Sequence, residues 1–97
     1  MTIKEFQQLI NAKYGEHDRQ RGTAGTFMWF IEEVGELATA LHRSASPTAS
    51  GDDRANLQEE FADVIAWLCT LANINDVDLE QALRTKYLTG EGPAGHK

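Results

Sequence analysis

A lone cysteine, Cys69, leaves this chain without an internal disulfide and without a cysteine-held metal cluster. Its place in an apolar helical stretch marks it as a small buried hydrophobe. Prolines are scarce, and no repeat or low-complexity stretch interrupts an ordinary globular composition. No apolar run approaches the roughly 18 residues of a membrane-spanning helix. No signal peptide precedes the first expected helix, so the expected location is cytoplasmic. Basic residues are also few: 9 Lys and Arg against 15 Asp and Glu give a net charge of −6. That balance argues against nucleic acid and anionic membrane as partners, because both demand a basic patch. It also sits badly with phosphate binding unless a cation intervenes. A chain of 97 residues is one domain with a thin core, and small helical chains often complete such a core by pairing with a copy of themselves.

What is present reads as helix throughout, so the expected fold class is all-α. T-I-K-E at residues 2–5 forms a capping box that starts a first helix, with Ile3, Phe6, Leu9 and Ile10 as its apolar stripe and Gly15 as its end. Residues 15–25 carry three glycines and read as a polar loop. A second helix runs from near Thr26 to Ser44 through Phe27, Phe30, Val34, Leu37 and Leu41. Pro47 and Gly51 mark a loop, and a third helix runs from about Asp53 to Asn73 through Leu57, Phe61, Val64, Ile65, Leu68 and Leu71. Asn73 and Asp76 lie at its end, where capping accounts for them. A fourth begins near Asp76 or Asp78, where D-L-E-Q resembles another capping box, and stops near Tyr87 or Leu88. The expected domain is residues 1–88, with 89–97 a flexible, glycine-rich tail.

The second and third helices share an unusual feature. I-E-E-V-G-E-L places Glu32, Glu33 and Glu36 within five residues, and Q-E-E-F-A-D-V places Glu60 and Asp63 one turn apart. At about 100° per residue, with Glu32 at zero, Glu36 falls at about 40° and Glu33 at about 100°, against an apolar stripe near 200°. Glu33 therefore borders the buried side, and Glu32 points furthest outward. With Glu60 at zero, the stripe of the third helix centres at about 80° and Asp63 lies at about −60°. The loop between the two helices is short, so they are expected to be antiparallel neighbours. Glu33/Glu36 and Glu60/Asp63 then face each other. Four converging carboxylates repel, and burying them uncompensated is costly. Either they diverge into solvent as ordinary helix faces, or a cation holds them, and hard oxygen ligands in this number suit Mg2+ or Mn2+. A di-iron bundle would instead want Glu-x-x-His on its helices, whereas Thr39 and Ala66 stand where histidine would follow.

E-E-V-G-E-L followed after a loop by E-E-F-A-D-V resembles the MazG-type all-α nucleoside triphosphate pyrophosphohydrolases, whose pattern is E-E-x-x-E, a spacer, then E-x-x-D. R-G-x-x-G-T-F-M-W-F before the motif, A-D-V-I-A-W-L after it, and D-L-E-Q-A-L with a following K-Y look like a short single-domain branch. The likeness runs from about Phe6 to Tyr87. It implies a four-helix domain paired in an oligomeric bundle, as a homodimer or dimer of dimers. It implies Mg2+-dependent hydrolysis of a nucleoside triphosphate to monophosphate and pyrophosphate, with Mn2+ as a substitute. Carried over by position, Glu33, Glu36, Glu60 and Asp63 are metal ligands. Glu32 supports the site or orients a water, and a carboxylate such as Glu36 acts as base. The tail G-E-G-P-A-G-H-K lacks the cysteines that some short relatives carry there.

Other residues suggest substrate contacts. Arg19 and Arg21 offer guanidinium groups to phosphate, though a solvated charged loop also accounts for them. Lys86 lies in the K-Y segment, where a helix C-terminus favours lysine in any case. Trp29, at about 60° on the Glu32 scale, and Trp67, one turn past Asp63, lie on the carboxylate side and could stack a base or pack an interface. His17, His42 and His96 show no ligand spacing and read as surface residues. Two other readings share this sequence. One is a noncatalytic helical dimerisation module that binds nucleotide or a partner protein. The other is a phosphoribosyl-ATP pyrophosphohydrolase.

Overall fold

The computed structural model describes residues 1–88; the expected tail 89–97 and His96 lie outside them. The described residues are helical, with no strand among them. Helix α1 spans Ile3–Ser44, but its backbone leaves helical geometry at Gly22, where φ is 80° and ψ 175°. Helix α2 spans Gly51–Ile74, helix α3 spans Leu79–Leu83, and a π-helical turn covers Arg84–Leu88. None of these helices is long and apolar enough to cross a membrane.

Side-chain caps set the helix starts. The Thr2 hydroxyl accepts from the Glu5 amide at 3.0 Å, and Glu5 Oε1 accepts from the Thr2 amide at 2.8 Å. Those bonds from Thr2 hold the Glu5 carboxyl below its ordinary range. Ser50 and Asp53 form the same reciprocal pair at the start of α2, two residues earlier than the sequence pattern suggests. Asp78 caps α3 by accepting from the Gln81 amide at 3.0 Å.

The expected loop over 15–25 is mostly helix, and Gly15 does not end it. A Cβ at Gly15 would collide with Asn11 Oδ1 and Arg19 Nη1, which bond each other across that spot at 2.9 Å. Gly15 thus clears space for a side-chain bridge instead of releasing the backbone. The break comes at Gly22, whose positive φ is costly for any residue with a Cβ.

Beyond Gly22, the second arm of α1 runs antiparallel to α2. Thr23 meets Asn75, Trp29 stacks on Trp67, and Glu36 lies by Glu60. The first arm crosses α2 and is fastened to it by Gln7 and Asn73, both buried. Gln7 Nε2 donates to Asn73 Oδ1 at 3.0 Å, and Asn73 Nδ2 donates back to the Gln7 carbonyl at 3.2 Å. The same Gln7 donates to the Val77 carbonyl and accepts from the Leu79 amide, joining α1, α2 and the start of α3. Asn73 is therefore a cross-element clasp, and Asn75 is the C-cap of α2.

The buried apolar set is small: Ile10, Ala40, Leu57, Cys69 and Ala72. The expected stripes are only partly covered. Phe30, Leu37, Val64 and Leu71 are half-buried, whereas Phe27, Val34, Leu41, Phe61, Ile65 and Leu68 remain exposed. The first arm shields one flank of the hairpin, and nothing among the described residues shields the other. The radius of gyration, 15.6 Å, exceeds the about 12–13 Å of a compact domain of this length.

Candidate functional site

The antiparallel hairpin brings together one carboxylate oxygen each from Glu33, Glu36 and Glu60, all within 4.8 Å of one another. Glu33 and Glu60 are half-buried, as their positions at the margins of the two stripes predict, while Glu36 is exposed. Glu33 Oε2 and Glu60 Oε2 are cut off from solvent and have no hydrogen-bond partner. Asp63 is exposed and outside that trio, but its charge reaches both Glu33 and Glu60. Glu32 is exposed on the rim.

The electrostatics follow from this crowding. Burial, then the Glu36 carboxyl beside it, then the charges of Asp63 and Glu60, push the Glu33 carboxyl up to about 7. Burial and the charges of Glu36 and Asp63 also raise Glu60. Partnerless, acceptor-only oxygens that repel their neighbours are what a hard divalent cation resolves, and carboxylate oxygen suits Mg2+ or Mn2+. The donor set therefore fits such an ion.

One turn away from the acids, Trp29 and Trp67 stack with ring centroids 6.1 Å apart and planes 11° apart. The Arg21 guanidinium lies over Trp67 at 5.1 Å. Arg21 is held there: Nη2 donates to Asp18 Oδ1 at 2.6 Å and Nε to Thr26 Oγ1 at 3.1 Å. Three residues singled out from the sequence, Arg21, Trp29 and Trp67, thus form one assembly beside the carboxylates. Arg19 points elsewhere, to Asn11 and the Asn73 carbonyl, and lines a separate polar cavity of about 320 Å3 with Lys4 and Gln7. Both arginines sit on helix, not in a loop, because the first arm of α1 continues past Gly15. Lys86 lies in the π-helical turn, its Nζ 5.3 Å from the Tyr87 ring centroid. His17 and His42 are exposed.

Sequence reading missed Asp18, Thr26 and Thr70, which are all buried. Asp18 and Arg21 stand three apart, the spacing of an ion pair on one helix face, a signal hidden once the segment is taken for a loop.

Fold and site together define an all-α domain whose two longest helices bring three glutamates together between them. The chain belongs to the MazG nucleotide pyrophosphohydrolase domain family, whose model matches residues 21–87. It is also similar to the uncharacterized protein YpjD of Bacillus subtilis (strain 168), at 32% identity over 84 residues, which is 84% of this chain and 76% of that protein.

Proposed function

We propose that the chain hydrolyses nucleoside triphosphates, ribo- or deoxy-, canonical or non-canonical, to monophosphate and pyrophosphate in a Mg2+-dependent reaction in the cytoplasm. The observation that carries this reading is the trio of carboxylates within 4.8 Å, with two partnerless oxygens, in a chain of this family. Glu33, Glu36 and Glu60 hold the cation, with Asp63 completing the set from the rim. When bound, Mg2+ would neutralise the cluster, bridge it to the triphosphate and stabilise charge on the leaving pyrophosphate; Mn2+ has the same ligand preference. In this reading Glu32, exposed and next in sequence to Glu33, orients or deprotonates an attacking water, and Glu36 is the other candidate base. Trp29, Trp67 and Arg21 provide a flat, cationic wall for the substrate one turn away.

The functional unit in this reading is a homodimer or dimer of dimers. The uncovered stripe of Phe27, Val34, Phe61, Ile65 and Leu68 supports it, as does an apolar hollow of about 310 Å3 among Met1, Ile3, Phe6, Ala62 and Ile65. Large apolar side chains exposed in this number on two neighbouring helices are what an interaction surface offers.

The test is pyrophosphate release from a panel of NTPs, dNTPs and phosphoribosyl-ATP with Mg2+, Mn2+ or EDTA. Metal-dependent release of pyrophosphate, lost in Glu36→Gln, is the expected result. Orthophosphate as the product would move the cleaved bond. Turnover confined to phosphoribosyl-ATP would favour that narrower enzyme, and no turnover of any substrate would favour a noncatalytic binding module.

A further inference from the structure

The bend in α1 is made by one residue. Helix runs from Ile3 to Ser44, and only Gly22 leaves helical geometry, at φ 80° and ψ 175°. No loop separates the two arms, so the chain has no slack with which to fold back. A Cβ built on Gly22 would meet nothing within 4 Å, so no side-chain packing holds the hinge in place. A break of this kind leaves backbone groups on either side without the intrahelical partners that a continuous helix supplies.

The first arm, residues 3–21, is fastened mainly by groups that a second copy of the chain presents identically. Gln7 bonds Asn73, the Val77 carbonyl and the Leu79 amide. Arg19 Nη2 donates to the Asn73 carbonyl at 3.4 Å, and Arg21 lies over Trp67. Lys4 Nζ stands 3.8 Å from Asp78 Oδ2. Every one of these partners falls within residues 67–79. Toward the second arm, by contrast, the side-chain bond among the described residues is Arg21 Nε to Thr26 Oγ1, beside the hinge itself.

We propose that Gly22 is the hinge of an arm exchange: α1 straightens, and residues 3–21 of each copy pack on α2 of the other in a closed dimer. Exchange remakes the fastening bonds between chains and adds helical bonds across residue 22. A one-residue connection under conformational demand is the kind that favours swapping. The opposing term is the entropy of joining two copies, so concentration governs the balance. This interface is separate from the uncovered apolar flank of the hairpin. Glu33, Glu36 and Glu60 stay together in one hairpin whether or not the arm is exchanged, so the inference does not rest on the hydrolase reading. The penalty for a Cβ at this φ exists only in the bent form, so Gly22→Ala shifts the balance toward exchange. Alanine is also the better residue in the straightened helix.

The test uses the contact between Lys4 and Asp78 as a reporter. Equal amounts of 15N-labelled and ordinary chain are unfolded together in urea and refolded over a range of concentrations. A carbodiimide then joins the Lys4 amine to the Asp78 carboxylate, and mass spectrometry reads whether the two ends carry the same label. In dilute solution the pairs are expected to be same-label. With rising concentration the mixed-label share is expected to climb toward about half, the statistical limit for a closed exchange. In Gly22→Ala the climb is expected at a concentration at least fivefold lower, the scale of the strain removed. Inserting a short Gly-Ser linker after Gly22 gives the arm slack and is expected to return the pairs to same-label. Same-label pairs alone in the wild-type chain at every concentration overturn the proposal. Mixed pairs that persist undiminished in the linker variant assign them to side-by-side contact between bent chains and overturn it as well.

Discussion

The two ends of the helical hairpin handle buried polarity in opposite ways. Near Gly22, Gln7 and Asn73 are buried and fully engaged: each amide donates and accepts, and the bonds tie three elements together. Toward the other end, Glu33 and Glu60 bring buried oxygens that nothing among the described residues satisfies, among neighbours of the same charge. A polar group that is buried and paired stabilises its fold, while one left unpaired costs free energy and points to something else that must arrive. The first end reads as structure, and the second holds the residues proposed for function. The same helices serve both, which lets the clasp hold the acids in register.

Mutation should separate the two ends cleanly. The largest effect is expected from Glu36→Gln or Glu60→Gln, which should lower metal-dependent turnover by roughly a hundredfold or more, the equivalent of losing several kcal/mol of charge stabilisation. Urea unfolding of these variants without metal should show stability unchanged or raised, because a like charge has been removed. Asn73→Ala should behave in the opposite sense. It removes the bonds that Asn73 makes to the Gln7 amide and carbonyl, so unfolding free energy should fall by about 1–3 kcal/mol while cation affinity of the folded chain is retained. Gly22→Ala should cost about 1–3 kcal/mol by forcing a Cβ into a positive-φ, extended conformation that is almost exclusive to glycine, again read by urea unfolding. If Gly22→Ala proved neutral, the break in α1 would lie elsewhere.

The pH dependence sharpens the contrast. Glu33 binds its proton more tightly in the folded chain, up to about 7, than in the unfolded chain, where a glutamate titrates near the ordinary value of 4.5. Between those values the folded state carries more protons, so metal-free stability should fall as pH rises from about 4.5 to about 7, then level off. Glu60 shifts the same way and adds to the trend. Thermal melts in EDTA across this range should show it, and Glu33→Gln should flatten it. Mg2+ should raise the melting temperature more above pH 7 than below pH 5, since the cation needs the ionised carboxylates.

Much of this arrangement was legible in the residues. The capping box at Thr2 appears where its spacing predicts, Asp78 caps α3 without the reciprocal bond because the Gln81 side chain donates to Thr85 instead, and the angular positions of Glu33 and Glu60 at the stripe margins match their half-buried state. Gly15 was not legible. A glycine that ends a helix and one that makes room for an Asn11–Arg19 bridge look alike until the bridging side chains are seen. Taking 15–25 for a loop then hid the Asp18–Arg21 pair, which needs a helix to align it. The apolar stripes were visible as stripes, but periodicity says only that a face is apolar, not whether the same chain covers it.

The account's central claim is that the hairpin holds a divalent-cation site. Titration of Mn2+ into the metal-free chain at neutral pH, followed by loss of the free-ion electron paramagnetic resonance signal, tests it most directly. The account predicts saturable binding that weakens at least tenfold in Glu60→Gln while the helical content of the chain stays the same. Mn2+ that binds Glu60→Gln as tightly as the wild-type chain, or that shows no saturable binding to either, would contradict it.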